Sequence, residues 1–262
     1  MIAEIISFDL CGKFAHFRKF YASSSALSYT IPPKTTILGI IASILGLERD
    51  SYYESLDELL ISVSIESDIR KIFQKFNYLN VKDNINFDIS KEENNVNGIS
   101  NRTQVSMELI IPENIRENVI RYRIFVANNG NNTFFEQLKL FLSRNNSIYG
   151  ISLGPANLIG YIDNYVDEYK IQAINDKSIR IKTIVDERKI KLNSEQNSAI
   201  IEQDIFPVKM KFIKSKNTRI AIENKSLIYP TNNKPMVINI LDNINFYKIQ
   251  SKDKNETNLF LI

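Results

Sequence analysis

Tryptophan is absent from this chain, and cysteine and histidine occur once each, as Cys11 and His16. A single cysteine excludes an intrachain disulfide and any Cys-x-x-Cys chemistry. A single histidine excludes His-rich metal sites and a two-histidine acid–base pair. The longest apolar stretch, Ile37 to Leu47, is interrupted by Gly39, Ser43 and Gly46 and is too short to cross a bilayer. No basic segment followed by a long apolar run opens the chain, so a cytoplasmic protein without a membrane partner is expected. There is no Walker lysine loop, no Gly-x-Gly-x-x-Gly and no serine-nucleophile motif. Asp163, Asp167 and Glu168 lack convincing metal spacing and read as the solvated end of a strand. No cofactor or metal is therefore expected.

The 262 residues suit one large domain or two small ones, and 44% hydrophobic content supports an ordinary core. The net charge of +3 is nearly neutral and does not by itself argue for nucleic acid. Its distribution is uneven. Lys170 to Lys225 holds thirteen Lys or Arg against seven Asp or Glu, whereas Glu48 to Glu58 is acidic, with Arg49 its only cation. That pattern fits one basic and one acidic face, or simply solvated surface.

Periodicity gives an α+β order. Glu4 to Leu10 reads as a strand bounded by Gly12. Ile37, Leu38, Ile40, Ile41, Ile44 and Leu45 recur at helical spacing, with Pro33 near the first position and Gly46 at the stop. A short helix is expected at about Ser51 to Leu60, and Ile61 to Ile65 alternates as a half-buried strand. Val81, Ile85, Phe87 and Ile89 alternate, Lys91 to Gly98 is polar, and Arg102 to Ile111 alternates again. This predicts a long hairpin arm at about 77–111 with a polar tip. Arg121 to Val126 is a strand, Phe134 to Leu142 a helix and Ile159 to Val166 a strand. The order is that of a ferredoxin-like (RRM-like) domain over 1–166. Residues 167–262 read as a small β-rich region, with strands near Ile179–Val185, Phe206–Ile213, Thr218–Ile222 and Val237–Ile240.

Candidate binding residues cluster early. The loop after the first strand interleaves Lys13, Phe14, His16, Phe17, Arg18 and Lys19. Cations neutralise phosphates and rings stack on bases, which suits single-stranded nucleic acid. The other reading of Phe14 and Phe17 puts both rings in the core, the more common place for phenylalanine. Tyr29 precedes the Pro32-Pro33 turn and is placed to stack or hydrogen-bond. Lys34, Thr35 and Thr36 occupy the first helical turn, where free N–H groups favour an anion. The alternative is an ordinary helix start with a solvated lysine. Arg102 and Gln104 lie at the base of the returning arm, where arginine holds a phosphate and glutamine reads a base edge. Cross-strand pairing on a solvated face is the other reading. Gly150, Gly154 and Gly160 with Pro155 form a loop that permits close backbone approach. His16 fits a general base near neutral pH, but RNA cleavage without metal needs an acid as well.

These residues resemble a known family. The first strand, the loop from Gly12 to Lys19 and the stretch Tyr29-Thr30-Ile31-Pro32-Pro33-Lys34-Thr35-Thr36 are similar to the CRISPR-associated Cas-five family of the RAMP superfamily. Thr103 to Leu109, Tyr122 to Val126 and Tyr149 to Leu158 follow in the family's order. The resemblance implies a subunit of the type I surveillance complex Cascade that holds the five-prime handle of the crRNA. It implies a thumb-like hairpin inserted in the ferredoxin-like domain, lying over the guide. It further implies contact with the backbone subunit and the large subunit, and with target DNA only indirectly. Some members cut their own RNA with a catalytic set that includes a tyrosine at the place of Tyr29 and a Lys-His pair near the hairpin. Here Arg102-Thr103-Gln104 stands instead of that pair. The expectation is a non-catalytic RNA-binding scaffold. A metal-independent endoribonuclease and an interaction module without RNA are the alternatives.

Overall fold

The computed structural model describes residues 2–22, 25–79, 102–116, 118–130, 132–193, 197–252 and 255–262. The first strand, β1 (Glu4–Gly12), alternates as its sequence requires. Ile6, Phe8 and Leu10 enter the main core, while Ile5 belongs to a second cluster on the opposite face. Two short pairing strands follow, β2 (Phe17–Arg18) and β3 (Ser28–Tyr29). Helix α1 (Lys34–Leu45) then covers the sheet with Ile37, Leu38, Ile41 and Ile44. It ends where Gly46 turns left-handed at φ 73° and Leu47 N–H donates to Ala42 O at 2.9 Å.

The helix expected over about Ser51–Leu60 contracts to one turn, α2 (Tyr52–Ser55). Only Leu56, Leu59 and Leu60 offered it an apolar stripe, too little to hold a longer helix. Leu60 instead opens β4 (Leu60–Ile65). The hairpin stem is β5 (Ile69–Leu79) against β6 (Arg102–Pro112), in register from Ile69↔Pro112 to Leu79↔Arg102. The arm thus begins eight residues before the expected Asn77. Its tip, with Val81, Ile85, Phe87, Ile89 and Lys91 to Gly98, lies outside the described residues. The stem is not a two-sided polar ribbon. Ile72, Phe76 and Val105 pack with Met107, Leu109 and Ile111 onto Ala26 and Leu158.

Next come β7 (Ile120–Asn128), α3 (Thr133–Ser143) and β8 (Gly160–Val166). Asn132 caps α3, its side-chain oxygen accepting from Phe134 N–H at 2.9 Å and Phe135 N–H at 3.3 Å. The central sheet runs β4-β7-β1-β8, with antiparallel neighbours throughout. Phe135 and Leu138 of α3 join α1 in the same core.

The remaining chain is strand-rich: β9 (Tyr169–Ala173), β10 (Ser178–Ile181), β11 (Val185–Asp186), β12 (Ile190–Leu192), β13 (Ile201–Ile213), β14 (Thr218–Pro230), β15 (Met236–Ile240), β16 (Phe246–Ser251) and β17 (Glu256–Phe260). They form three sheets, β10-β15-β12, β11-β14-β13 and β17-β16-β9. Ile61 and Ile262 exchange backbone hydrogen bonds at 3.0 and 2.9 Å, and Ile184 N–H donates to Val63 O at 3.1 Å. Phe206, Val208 and Leu227 share the main core with Tyr29 and Ile31. Among the described residues no helix is long and apolar enough to cross a membrane.

Candidate nucleic-acid interface

A groove of about 740 Å³ opens where six parts of the chain meet. One wall is the basic-aromatic loop, with His16, Arg18 and Phe20. The groove-facing side of α1 supplies Thr35, Thr36, Gly39 and Ser43. The base of β6 supplies Val105 and Met107, and the loop from Gly150 to Pro155 closes the far end. Tyr52, Tyr53, Pro207, Met210 and Arg219 complete it from α2 and the β13–β14 hairpin. Stretches more than a hundred residues apart in sequence, 16–36 and 150–155, therefore share one concave surface.

The loop is held tightly against its neighbours. Ala15 and Ile110 exchange backbone bonds at 3.0 and 2.9 Å, and His16 N–H donates to Leu153 O at 2.8 Å. Gly154 has φ 125°, and a Cβ there would lie 2.1 Å from His16 O. Only glycine permits that approach. The Glu108 carboxylate accepts the Ser28 N–H at 2.7 Å and so fixes β3 beside β6. His16 is buried, and its Nδ1 lies 2.7 Å from Glu108 O. A carbonyl only accepts, so Nδ1 carries the proton. Burial lowers the His16 pKa, Arg18 lowers it further, and the Glu108 carbonyl partly offsets this.

Tyr29 forms part of the groove but is largely committed elsewhere. It stacks on Phe206 with ring centroids 4.4 Å apart, and its hydroxyl donates to Ile205 O at 2.6 Å. Burial, reinforced by Asp204, pushes its phenol well above the ordinary range. Thr35 and Thr36 face the groove at the helix start, although Thr36 N–H already donates to Pro33 O at 2.9 Å.

The cations are dispersed. Arg18 lines the groove, is exposed, and makes no ion pair among the described residues. Lys19 turns to Asp204 at 2.6 Å, lying over the Tyr21 and Tyr29 rings; the carboxylate raises its pKa although burial alone would lower it. Lys13 donates to Ile115 O and Asn118 O at 2.9 and 2.7 Å. Phe14 beside it is 38% exposed and does not line the groove. Lys34 is only 7% exposed; its ammonium lies 3.4 Å from Asp57 O, and burial lowers its pKa to about 8. Gln104 is exposed on β6, two register steps from the end described for the stem. Arg102 ends that strand by its backbone, and its side chain lies outside the described residues.

Sequence reasoning missed Tyr52, Tyr53 and Arg219. The tyrosine rings sit 4.6 Å apart, and Tyr52 Oη would lie 2.9 Å from a Cβ at position 39, so Gly39 makes room for it. Arg219 grips Asp50 with Nε at 2.7 Å and Nη2 at 3.2 Å. No local pattern flags these residues, because they reach the groove through pairings between distant elements. Glu108 is engaged within the chain, where it holds the Ser28 amide.

Residues 5–107 match the family described as CRISPR-associated protein (Cas_Cas5). No curated protein matches the chain. Among solved structures, a CRISPR protein from Archaeoglobus fulgidus aligns with 97% of this chain and 99% of its own at TM-score 0.55 and 12% identity. That likeness concerns the fold. A chain of a CRISPR RNA-guided surveillance complex aligns over 88% of this chain and 91% of its own, with TM-score 0.47 and 10% identity. A chain of the Type III-B Cmr-beta complex bound to cognate target RNA and AMPPnP aligns over 89% and 86%, with TM-score 0.46 and 12% identity. The matched residues 5–107 hold the basic-aromatic loop, α1 and most of the hairpin stem, and over that stretch the chain is similar to the CRISPR-associated Cas5 family.

Proposed function

We propose that the chain is a non-catalytic RNA-binding subunit of a CRISPR effector complex. In the finer reading it serves a type I Cascade in the cytoplasm, holding the five-prime handle of the crRNA and capping the backbone filament beside the large subunit. The observation that carries this is the groove. It brings Arg18, Thr35, Thr36 and the Gly150–Pro155 loop onto one surface with His16, Tyr52 and Tyr53. A cation, hydroxyls, backbone and rings on one concave face suit a bent single strand. The order β8-β1-β7-β4, with α1 and α3 as the two crossovers, supports the ferredoxin-like reading of residues 1–166, with 167–262 as the appended region.

The non-catalytic part rests on chemistry. Strand scission needs the attacking 2′-hydroxyl deprotonated and the leaving oxygen protonated or stabilised. Tyr29 is bonded through its hydroxyl and held strongly protonated, which makes it a poor base. The lysines near it are paired or buried. The test uses labelled repeat-derived RNA at a series of salt concentrations. Affinity is expected to fall with a log–log slope of roughly −0.7 per neutralised phosphate, and Arg18→Ala to weaken binding and flatten that slope. The RNA is expected to stay intact with or without chelator. Absence of binding would overturn the scaffold reading. Site-specific cleavage that His16→Ala or Tyr29→Phe abolishes would replace it with an endoribonuclease.

A further inference from the structure

His16 is the only histidine of the chain, and its setting is more fixed than a loop residue's usually is. Its main chain is clamped by Leu153 O on one side and by Gly154, which leaves no room for a side chain, on the other. Its ring is anchored through Nδ1 to Glu108 O at 2.7 Å. With the proton on Nδ1, Nε2 of the neutral ring carries a lone pair and can only accept. Nε2 makes no hydrogen bond among the described residues, yet it is not one of the sealed unpartnered side-chain atoms found among them, Ser62 Oγ and Tyr165 Oη. Nε2 is therefore not fully sealed, and His16 lines the groove. Phe17, Val105 and Met107 line the same groove. An acceptor in such apolar company is costly to leave unmatched once water is displaced.

We propose that His16 is a specificity-determining residue of the groove, its Nε2 accepting a hydrogen bond from a donor group of the bound nucleotide. This rests on the RNA-binding reading above and adds what is read at this point. Two donors share that chemistry, the ribose 2′-hydroxyl and an exocyclic base amine. The first would make the residue a sensor of RNA against DNA, and the second a reader of one base. The burial-lowered pKa keeps the ring neutral, and so an acceptor, at neutral pH. The charged groups facing it are Arg18 on its own loop and Glu108 on β6; the segment 150–155 contributes none.

The test measures affinity for repeat-derived single-stranded RNA by fluorescence anisotropy, with wild type and His16→Asn. The asparagine amide nitrogen can still donate to Glu108 O, but nothing replaces Nε2. One set of RNAs carries single 2′-deoxy substitutions. A second replaces guanosine by inosine, adenosine by purine riboside and cytidine by zebularine, which removes the exocyclic amines one at a time. Wild type should lose about two- to tenfold at one substituted position, as expected for one neutral hydrogen bond, and His16→Asn should bind that RNA and the unmodified one alike. The set containing that position identifies the donor. A second measurement needs no variant: the wild-type preference should fade as pH falls below the His16 pKa, because imidazolium has no acceptor. The proposal is overturned if no position discriminates, or if His16→Asn keeps the same preference. It also falls if the preference of wild type is unchanged on acidification. Failure of wild type to bind unmodified RNA removes the RNA reading itself, a result distinct from binding without discrimination.

Discussion

Gly154→Ala tests the joint on which the groove depends. The glycine has φ 125°, a conformation essentially closed to residues with a side chain, costing roughly 1–3 kcal/mol. The added Cβ would lie 2.1 Å from His16 O and 3.0 Å from the carbonyl carbon. A relaxed carbon–oxygen contact lies near ~3.3 Å, so the two backbones must part by roughly 1 Å. That separation also stretches the 2.8 Å bond from His16 N–H to Leu153 O, a net loss on the order of 1 kcal/mol. Together these give about 3 kcal/mol. For a chain of this size that is a fall in Tm of roughly 6–12 °C. Gly150→Ala is the matched control. It lies in the same loop, without a positive φ and with nothing within 4 Å of its Cβ, so it should change stability by less than about 0.5 kcal/mol. Thermal and urea unfolding of both variants decides the matter. If Gly154→Ala melts with Gly150→Ala, the close packing of the two loops is not what holds His16.

Asp9 is wholly buried and accepts from Arg121 at 2.7 Å, from Arg123, and from Asn164 at 2.8 Å. Asp9→Ala should cost roughly 2–3 kcal/mol, below the usual range for a broken buried pair because both arginines keep some water; urea unfolding showing no loss would refute this. Lys34 has a pKa lowered to about 8 from 10.5 by burial. Between those values the unfolded chain binds more protons, so the Lys34 contribution to stability rises with pH. It penalises the fold by about 3 kcal/mol below that window. Lys34→Met should therefore be more stable than wild type at pH 7, with the difference shrinking toward pH 10; a pH-independent difference would count against the burial.

Some of this molecule is legible without coordinates, because local chemistry suffices. The apolar spacing from Ile37 to Leu45, Pro33 before it and Gly46 after it place α1 to within a few residues. Thr133–Ser143 is equally local, since one face carries Phe135, Leu138 and Leu142. The early block from Lys13 to Thr36 and the later loop around Gly154 each stand out on their own. Other elements exist only through partners far along the chain. Ile69 to Phe76 mixes Arg, Lys, Ile and Phe in no clear period, and becomes a strand because β6 pairs with all of it. Strands β9, β16 and β17 form a sheet across some ninety residues and likewise escaped notice. The same division runs through the site. Sequence could say that Lys13, Arg18, Lys19 and Lys34 are cations near rings and a helix start. It could not say where a flexible side chain points. Packing sends Lys13 to two carbonyls, Lys19 to Asp204 and Lys34 to a buried place beside the Asp57 carbonyl, leaving Arg18 in the groove. Residue type and local period are properties of neighbours in the chain, whereas a side chain's direction and the company it keeps are set by which distant surfaces close over it.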